Sequence, residues 1–208
     1  MILVGQYDSP FVRRVGVALT LYGLAFEHRP WSVFGDADKV AALNPLVRVP
    51  ILVLDDGTAL VESHAILDHL DSLVPPEAAL FPRGEPDRHR ALRIAALATG
   101  LGDKAVSLFY EQRLHTEISE LWTGRCRMQM AGALAALERD RAERRGAFSF
   151  GDRIGHADIA VATVLRFVTE AHPGIVAFAD YPALARHCEA LEALPAFRQI
   201  YQPFIAPA

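Results

Sequence analysis

Three short stretches of the chain carry residue types and spacings that suit chemistry at an anion or a soft nucleophile. The first is Ser9-Pro10, ahead of the apolar positions Phe11, Val12, Val15, Ala18, Leu19 and Tyr22, which recur at helical spacing. Serine suits an N-cap, and proline at the first helical position loses nothing by lacking an N–H. By itself this is also an ordinary helix start. A helix N-terminus, however, holds unpaired N–H groups and partial positive charge, and it favours an anion or thiolate placed there. Lowering a thiol pKa of about 8.5 by about two takes about 2.7 kcal/mol of preferential anion stabilisation. A hydroxyl hydrogen bond together with the helix end can supply that, and no base is needed. The second stretch is Glu62-Ser63, an acid and a hydroxyl where an apolar run turns into a helix. The pair is a normal cap, and it also suits an α-amino-acid clamp, with Ser63 on a carboxylate and Glu62 facing an ammonium. The third is Val49-Pro50, just before an apolar run.

The elements that must position these residues follow from periodicity and punctuation. Met1–Val4 reads as a strand closed by Gly5. The helix from Pro10 ends at Gly23, and Phe26 to Trp31 reads as a second strand. Asp36 opens a short helix that ends near Asn44-Pro45. Ile51–Leu54 and Thr58–Val61 flank Asp55-Asp56-Gly57, a hairpin signal. Ser63 then caps a helix through Leu73. The order β-α-β-α-β-β-α within the first 74 residues gives a four-stranded mixed sheet of thioredoxin-like arrangement. In that arrangement Pro50 would be cis. The Val49 amide and carbonyl would then be free to pair with an extended peptide as a strand does.

Val74-Pro75-Pro76 and Phe81-Pro82-Arg83-Gly84-Glu85-Pro86 mark a linker over residues 75–85. Beyond it only helical periods occur: Asp87–His115, with Gly100 and Gly102 as possible bends, then Glu117–Arg144, Gly155–Glu170 and Asp180–Ala193. A short turn follows at Pro195. The expected organisation is an α/β domain over 1–74 and an all-helical domain over 86–208.

Composition narrows the function classes. With 208 residues, 51% hydrophobic and 22% charged, the chain can bury a core and is not a disordered one. A formal net charge of −4 argues against general nucleic-acid binding. Two distant cysteines, Cys126 and Cys188, exclude a disulfide framework, a Cys-rich zinc site and a dithiol centre. The eight histidines show no metal-ligand spacing, so no metal is expected. No secretory signal or membrane-length apolar stretch is visible, which leads us to expect a soluble, cytoplasmic protein.

Together the three stretches, in this order and on these elements, resemble the cytosolic glutathione S-transferase superfamily over nearly the whole chain. Ser9-Pro10-Phe11-Val12-Arg13-Arg14-Val15 with Ala18-Leu19 is similar to the serine-type plant tau class and related bacterial members. Asn44-Pro45 through Val49-Pro50, and Glu62-Ser63 before Ala65-Ile66, resemble the family's glutathione-binding stretch. Gly151-Asp152-Arg153-Ile154 with Ala157-Asp158-Ile159 resembles its capping-box region.

The resemblance implies a glutathione transferase fold, an α/β thioredoxin-like N-terminal domain plus an all-α C-terminal domain, assembled as a homodimer, with glutathione as co-substrate. Ser9 would hold the glutathione sulfur as a thiolate. Val49, before Pro50, would pair with the cysteinyl part, and Glu62 and Ser63 would hold the γ-glutamyl end. Arg48 would attract the glycyl carboxylate, and Asp103 is a possible contact to the partner subunit's glutathione. Phe11, Phe109, Tyr110 and Leu114 are candidates for an electrophile pocket, although helix packing would explain them equally. Tyr7 is a rival for the catalytic hydroxyl. Position 9 is Ser rather than Cys, which argues against thiol transfer through a protein mixed disulfide. Gly155 replaces the usual Ser or Thr of the capping box and removes one side-chain acceptor. The expected activity is conjugation of glutathione to hydrophobic electrophiles. The alternatives are glutathione-dependent peroxide reduction or isomerisation, or a non-catalytic interaction protein on the same fold.

Overall fold

Four three-residue strands form the only sheet among the described residues of a computed structural model, which covers residues 1–206. Pro207 and Ala208, the end of the expected helical region, lie outside the described residues. β1 (Ile2–Val4) pairs in parallel with β2 (Glu27–Arg29), the two joined by α1 (Pro10–Tyr22). β1 also pairs antiparallel with β3 (Ile51–Val53), and β3 with β4 (Ala59–Val61), so the order is β2-β1-β3-β4. Leu3 and Leu52 face each other in register and are fully buried. Two turns do what their residues suggest. Gly23, at φ 67°, closes α1 with its own amide on the Thr20 carbonyl and that of Leu24 on Leu19. Gly57, at φ 87°, sits in the turn where the Leu54 amide meets the Thr58 carbonyl at 2.8 Å.

α2 (Ala37–Ala41) is shorter than the sequence pattern suggests, and α3 (Ser63–Ser72) starts one residue differently. Glu62, not Ser63, holds the N-cap position, and Ser63 is the first helical residue. Its hydroxyl is turned inward to a buried arginine instead of capping the helix.

The remaining elements are helical: α4 (Asp87–Leu114), α5 (Glu120–Ala142), α6 (His156–Ala171), a 3-10 turn (Phe178–Asp180), α7 (Pro182–Glu192) and α8 (Pro195–Gln199). The fold is therefore a thioredoxin-like α/β domain followed by an all-helical one. α4 runs unbroken through Gly100 and Gly102, and the second glycine has a packing role. A Cβ there would stand 3.3 Å from both the Phe11 ring and Val164, so glycine lets α1 and α6 close on α4. α6 is buried from His156 to Val168 with Arg166 excepted, and it packs against α1, α4 and α7. One continuous apolar core runs from Leu3 to Ile200 across both halves.

Polar pins lock the halves together. Asp71 of α3 accepts from the Tyr22 hydroxyl and the Phe81 amide, and lies 2.8 Å from His156 Nε2 of α6. Arg13 of α1 makes a two-pronged pair with Glu192 at 2.6 and 2.7 Å and donates to the Ile200 and Phe197 carbonyls. The segment over 75–85 is tied in as well, with Leu80 and Phe81 buried and the Leu80 carbonyl accepting from His156.

Candidate functional site

A cleft of about 1200 Å³ opens between the N-terminal loops and α4. Ser9 stands on its wall as the N-cap of α1, in extended conformation at φ −69°, ψ 122°. Its Oγ accepts from the Val12 amide at 3.4 Å, a long bond that leaves the hydroxyl proton free to donate. The Ser9 carbonyl is engaged by Arg13, which fixes the backbone of the cap.

The loop bearing Arg48 and Val49 forms the facing wall. The Val49–Pro50 bond is cis, and no hydrogen bond of the Val49 amide or carbonyl is found among the described residues. Asn44, at the start of the stretch that resembles a glutathione-binding one, and Gly5 shape this loop. Buried Asn44 donates to the Arg48 carbonyl at 2.8 Å and accepts from the Leu46 amide at 3.0 Å. Gly5, at φ 124°, leaves room for the loop and the first turn of α1. A Cβ on it would stand 2.5 Å from Val12 and 2.8 Å from Val49. Val47 itself sits at φ 50°, an unfavourable position for a β-branched residue, on the wall of the cleft.

Arg48 reaches Glu62 and Asp103 equally, at 3.6 Å each, and so connects the start of α3 to α4 within one chain. Glu62 is held at φ 66°, a second left-handed non-glycine residue near the cleft. Asp103 lines the cleft. Burial lifts its carboxyl above the usual range against the pull of Arg48, and the Glu62 charge lifts it further. Pro50 and Ser63 are buried, and Ser63 Oγ accepts from Arg14 Nη1 at 3.3 Å. Arg14 is fully buried, and its Nε and Nη2 have no partner among the described residues. Burial lowers the guanidinium pKa to about 9. An uncompensated buried cation beside Ser63 makes that end of the site receptive to an anion. The only sequence hint of this was an arginine inside an apolar helical pattern.

Of the pocket candidates, Phe11, Phe109 and Tyr110 line the cleft. Leu114 does not. It lies half-exposed at the end of α4, beyond the lining residues. Phe34, Phe167 and the tail residues Phe204 and Ile205 join the lining, which local pattern could not have disclosed. Tyr7 is not among the lining residues. Its ring stacks on His28 with centroids 3.8 Å apart, and burial pushes the phenol up to about 12, away from ready ionisation. Both cysteines are buried, with thiol pKa values raised by desolvation. Among the described residues no three His, Cys, Asp or Glu side chains gather as a metal-ligand set, and no helix is long and apolar enough to cross a membrane.

The cleft has parts that suit a thiol-bearing peptide: a hydroxyl at a helix N-terminus, an unpaired backbone amide and carbonyl at Val49, Arg48 and an aromatic wall, while Pro50, Glu62, Ser63 and Arg14 are not among its lining residues. Comparison with known proteins points the same way. Residues 3–78 match the family described as "Glutathione S-transferase, N-terminal domain", and residues 120–190 match its C-terminal domain. The chain is 31% identical to a maleylacetoacetate isomerase of Pseudomonas aeruginosa over 97% of its own length and 95% of that protein. It is 35% identical to the uncharacterized GST-like protein YibF of Escherichia coli over 54% of the chain, spanning 55% of that relative. Among solved structures, a glutathione S-transferase of Methylobacterium radiotolerans in complex with glutathione sulfonate is 32% identical. It covers 100% of this chain and 98% of its own, with a TM-score of 0.90. A glutathione S-transferase of Methylobacillus flagellatus with glutathione bound is 26% identical, covering 96% of this chain and 98% of its own, with a TM-score of 0.87. On sequence, fold and the geometry of the cleft, the chain belongs to the glutathione S-transferase family.

Proposed function

We propose that this protein is a serine-type glutathione transferase. Glutathione lies in the cleft with its sulfur at Ser9, its cysteinyl backbone on Val49 and its γ-glutamyl carboxylate on Ser63. The Ser63 hydroxyl is in turn oriented by Arg14, and Glu62 faces the ammonium. Arg48 takes the glycyl carboxylate. Asp103, tied to Arg48, holds that arginine in place, and in an assembled dimer it can also reach the partner's ligand.

The reaction needs no protein thiol. Ser9 donates a hydrogen bond to the glutathione sulfur and, with the positive end of α1, favours its thiolate. The thiol proton leaves to solvent. The thiolate then attacks an electrophilic carbon, and the C–S bond forms as a leaving anion departs or a proton is taken up. The observation that carries this reading is Ser9 itself, a helix cap whose hydroxyl is only loosely engaged and opens on the cleft. Glutathione bound in the crystal structures of related transferases supports the choice of ligand. The similarity to a maleylacetoacetate isomerase favours one second reading, in which the same thiolate adds reversibly and the product is an isomer.

We further propose a homodimer in a reduced, cytoplasmic compartment. Leu121, Met128 and Ile118 on or beside α5 are 88%, 63% and 50% exposed, an apolar surface that a second copy would cover. The decisive assay compares glutathione conjugation to a reference aromatic electrophile by wild type and Ser9→Ala. Conjugation should collapse in the variant while glutathione still binds. Undiminished conjugation would remove Ser9 from its role, and no glutathione binding at millimolar ligand would favour an interaction protein.

A further inference from the structure

The electrophile end of the cleft carries an unbalanced charge. Asp8, the residue before Ser9, lines it, and its Oδ2 accepts from the Ile205 amide of the tail at 3.2 Å. No cation pairs with Asp8 among the described residues. The nearby Glu170 is already engaged by Arg166, and it also accepts from the Phe204 amide at 2.9 Å. Arg48, Asp103 and Lys104 line the same cleft, and both Arg48 and Asp8 act electrostatically on the Tyr110 phenol, but neither cation pairs with Asp8. Arg48 is held between Glu62 and Asp103, and Lys104 reaches over the Trp122 ring at 5.7 Å. In the same cleft the rings of Phe34, Tyr110, Phe109, Phe204 and Phe167 meet one another edge to face, with centroids 5.0 to 6.2 Å apart. Aromatic faces attract cations and tolerate neutral apolar groups, and an unpaired carboxylate repels anions.

We propose that Asp8 is a charge filter for the second substrate: the cleft takes lipophilic aromatic electrophiles that are neutral or positively charged, and it discriminates against those bearing a carboxylate. This rests on the glutathione reading above and adds a specificity determinant to it. Asp8 is half-buried, and desolvation raises its carboxyl pKa, yet backbone amides hold it back, those of Ile205 and Ser9 among them. The Glu170 charge adds to the rise.

The test measures binding and so does not depend on turnover. Glutathione and three S-benzyl glutathiones, with the para position trimethylammonium, hydrogen or carboxylate, are titrated calorimetrically into wild type and Asp8→Asn. Asparagine keeps an acceptor for the Ile205 amide and removes only the charge. In wild type at low salt the cationic tail should bind roughly tenfold tighter than the anionic one. The ratio should shrink at about 0.5 M salt and fall near unity in Asp8→Asn. The variant controls for the chain's overall charge of −4, which alone favours cations. A wild-type ratio within about twofold, or a ratio that survives Asp8→Asn, overturns the filter while leaving the transferase reading in place. Failure of glutathione itself to bind removes both.

Discussion

Arg14 Nη1 donates to the Ser63 hydroxyl at 3.3 Å, and its other two guanidinium nitrogens meet no partner among the described residues. The chain thus keeps a buried positive charge beside the residue proposed to bind a carboxylate. Such a charge is costly without an anion. Replacing it by an apolar side chain of similar length should separate two effects. Arg14→Met should raise the ligand-free protein's stability, by about 1–4 kcal/mol in denaturant unfolding. It should also weaken glutathione binding roughly 10- to 100-fold, the worth of a lost charge-assisted contact. A variant both less stable and unchanged in affinity would make Arg14 a packing residue only.

The same arginine bears on acid stability. His64, 3.1 Å from Thr99 Oγ1, is held down to about pKa 4, first by burial and then by the charges of Arg14 and His156. Between that value and the ordinary 6.5 the unfolded chain binds the proton and the native chain does not. The His64 contribution is therefore constant above about pH 6.5 and turns destabilising as pH drops toward 4. His156, buried, and His172, lowered by burial, act with the same sign. Thermal melts against pH should show this window, and His64→Gln should flatten it. In Arg14→Met the His64 resonance should titrate at higher pH, because a nearby positive charge is gone.

Gly155 shows what sequence reasoning can and cannot reach. The Asp158 carboxylate does receive the Gly155 amide, at 2.9 Å, as the capping-box spacing implies. Glycine lacks the side-chain acceptor that Ser or Thr would bring to this cap. In three dimensions a Cβ at 155 would stand 2.8 Å from the Leu80 carbonyl oxygen, which accepts from His156 next door. Glycine there is a requirement of the approach of residues near 80 to α6. Gly155→Ser should cost about 1–3 kcal/mol despite restoring the usual cap, read as a lowered Tm.

The divide between legible and hidden follows the same line throughout. Ser9-Pro10, the Asp56-Gly57 turn and Glu62-Ser63 are local signals, so their elements could be placed from the sequence. Arg14, Asp8 and Phe204 acquire their roles only through partners 49, 197 and 95 positions away. No local period encodes such meetings. The sequence predicts Ser63 as the cap of α3, whereas Glu62 holds that position and the Ser63 hydroxyl accepts from Arg14, a partner 49 positions away.

Arg48 offers a test of a surface charge. Its pairs with Glu62 and Asp103 are long and half-exposed, so they contribute little to folding. Arg48→Gln should change the free energy of unfolding by less than about 1 kcal/mol. The KM for glutathione should rise, with kcat less affected, because the proposed contact is to a part of glutathione remote from the sulfur. The Asp103 carboxyl, already raised by burial, should rise further without the arginine. Carboxyl resonances followed against pH would show it.

Adjacent residues should move the pH–rate profile in opposite directions. Ser9 is proposed to favour the bound thiolate by a hydrogen bond, so Ser9→Ala raises the thiol pKa and shifts the rise in rate to higher pH. Asp8 places a negative charge beside the same helix end, with no cation to balance it. That charge disfavours a second anion nearby. Asp8→Asn should therefore lower the bound thiol's pKa, by about half to one pH unit at the effective dielectric of a solvated cleft. The rate with a neutral electrophile should rise at more acidic pH in this variant, and direct absorbance titration of the thiolate should move with it. Two variants shifted in the same direction would mean that one of the residues does not face the sulfur.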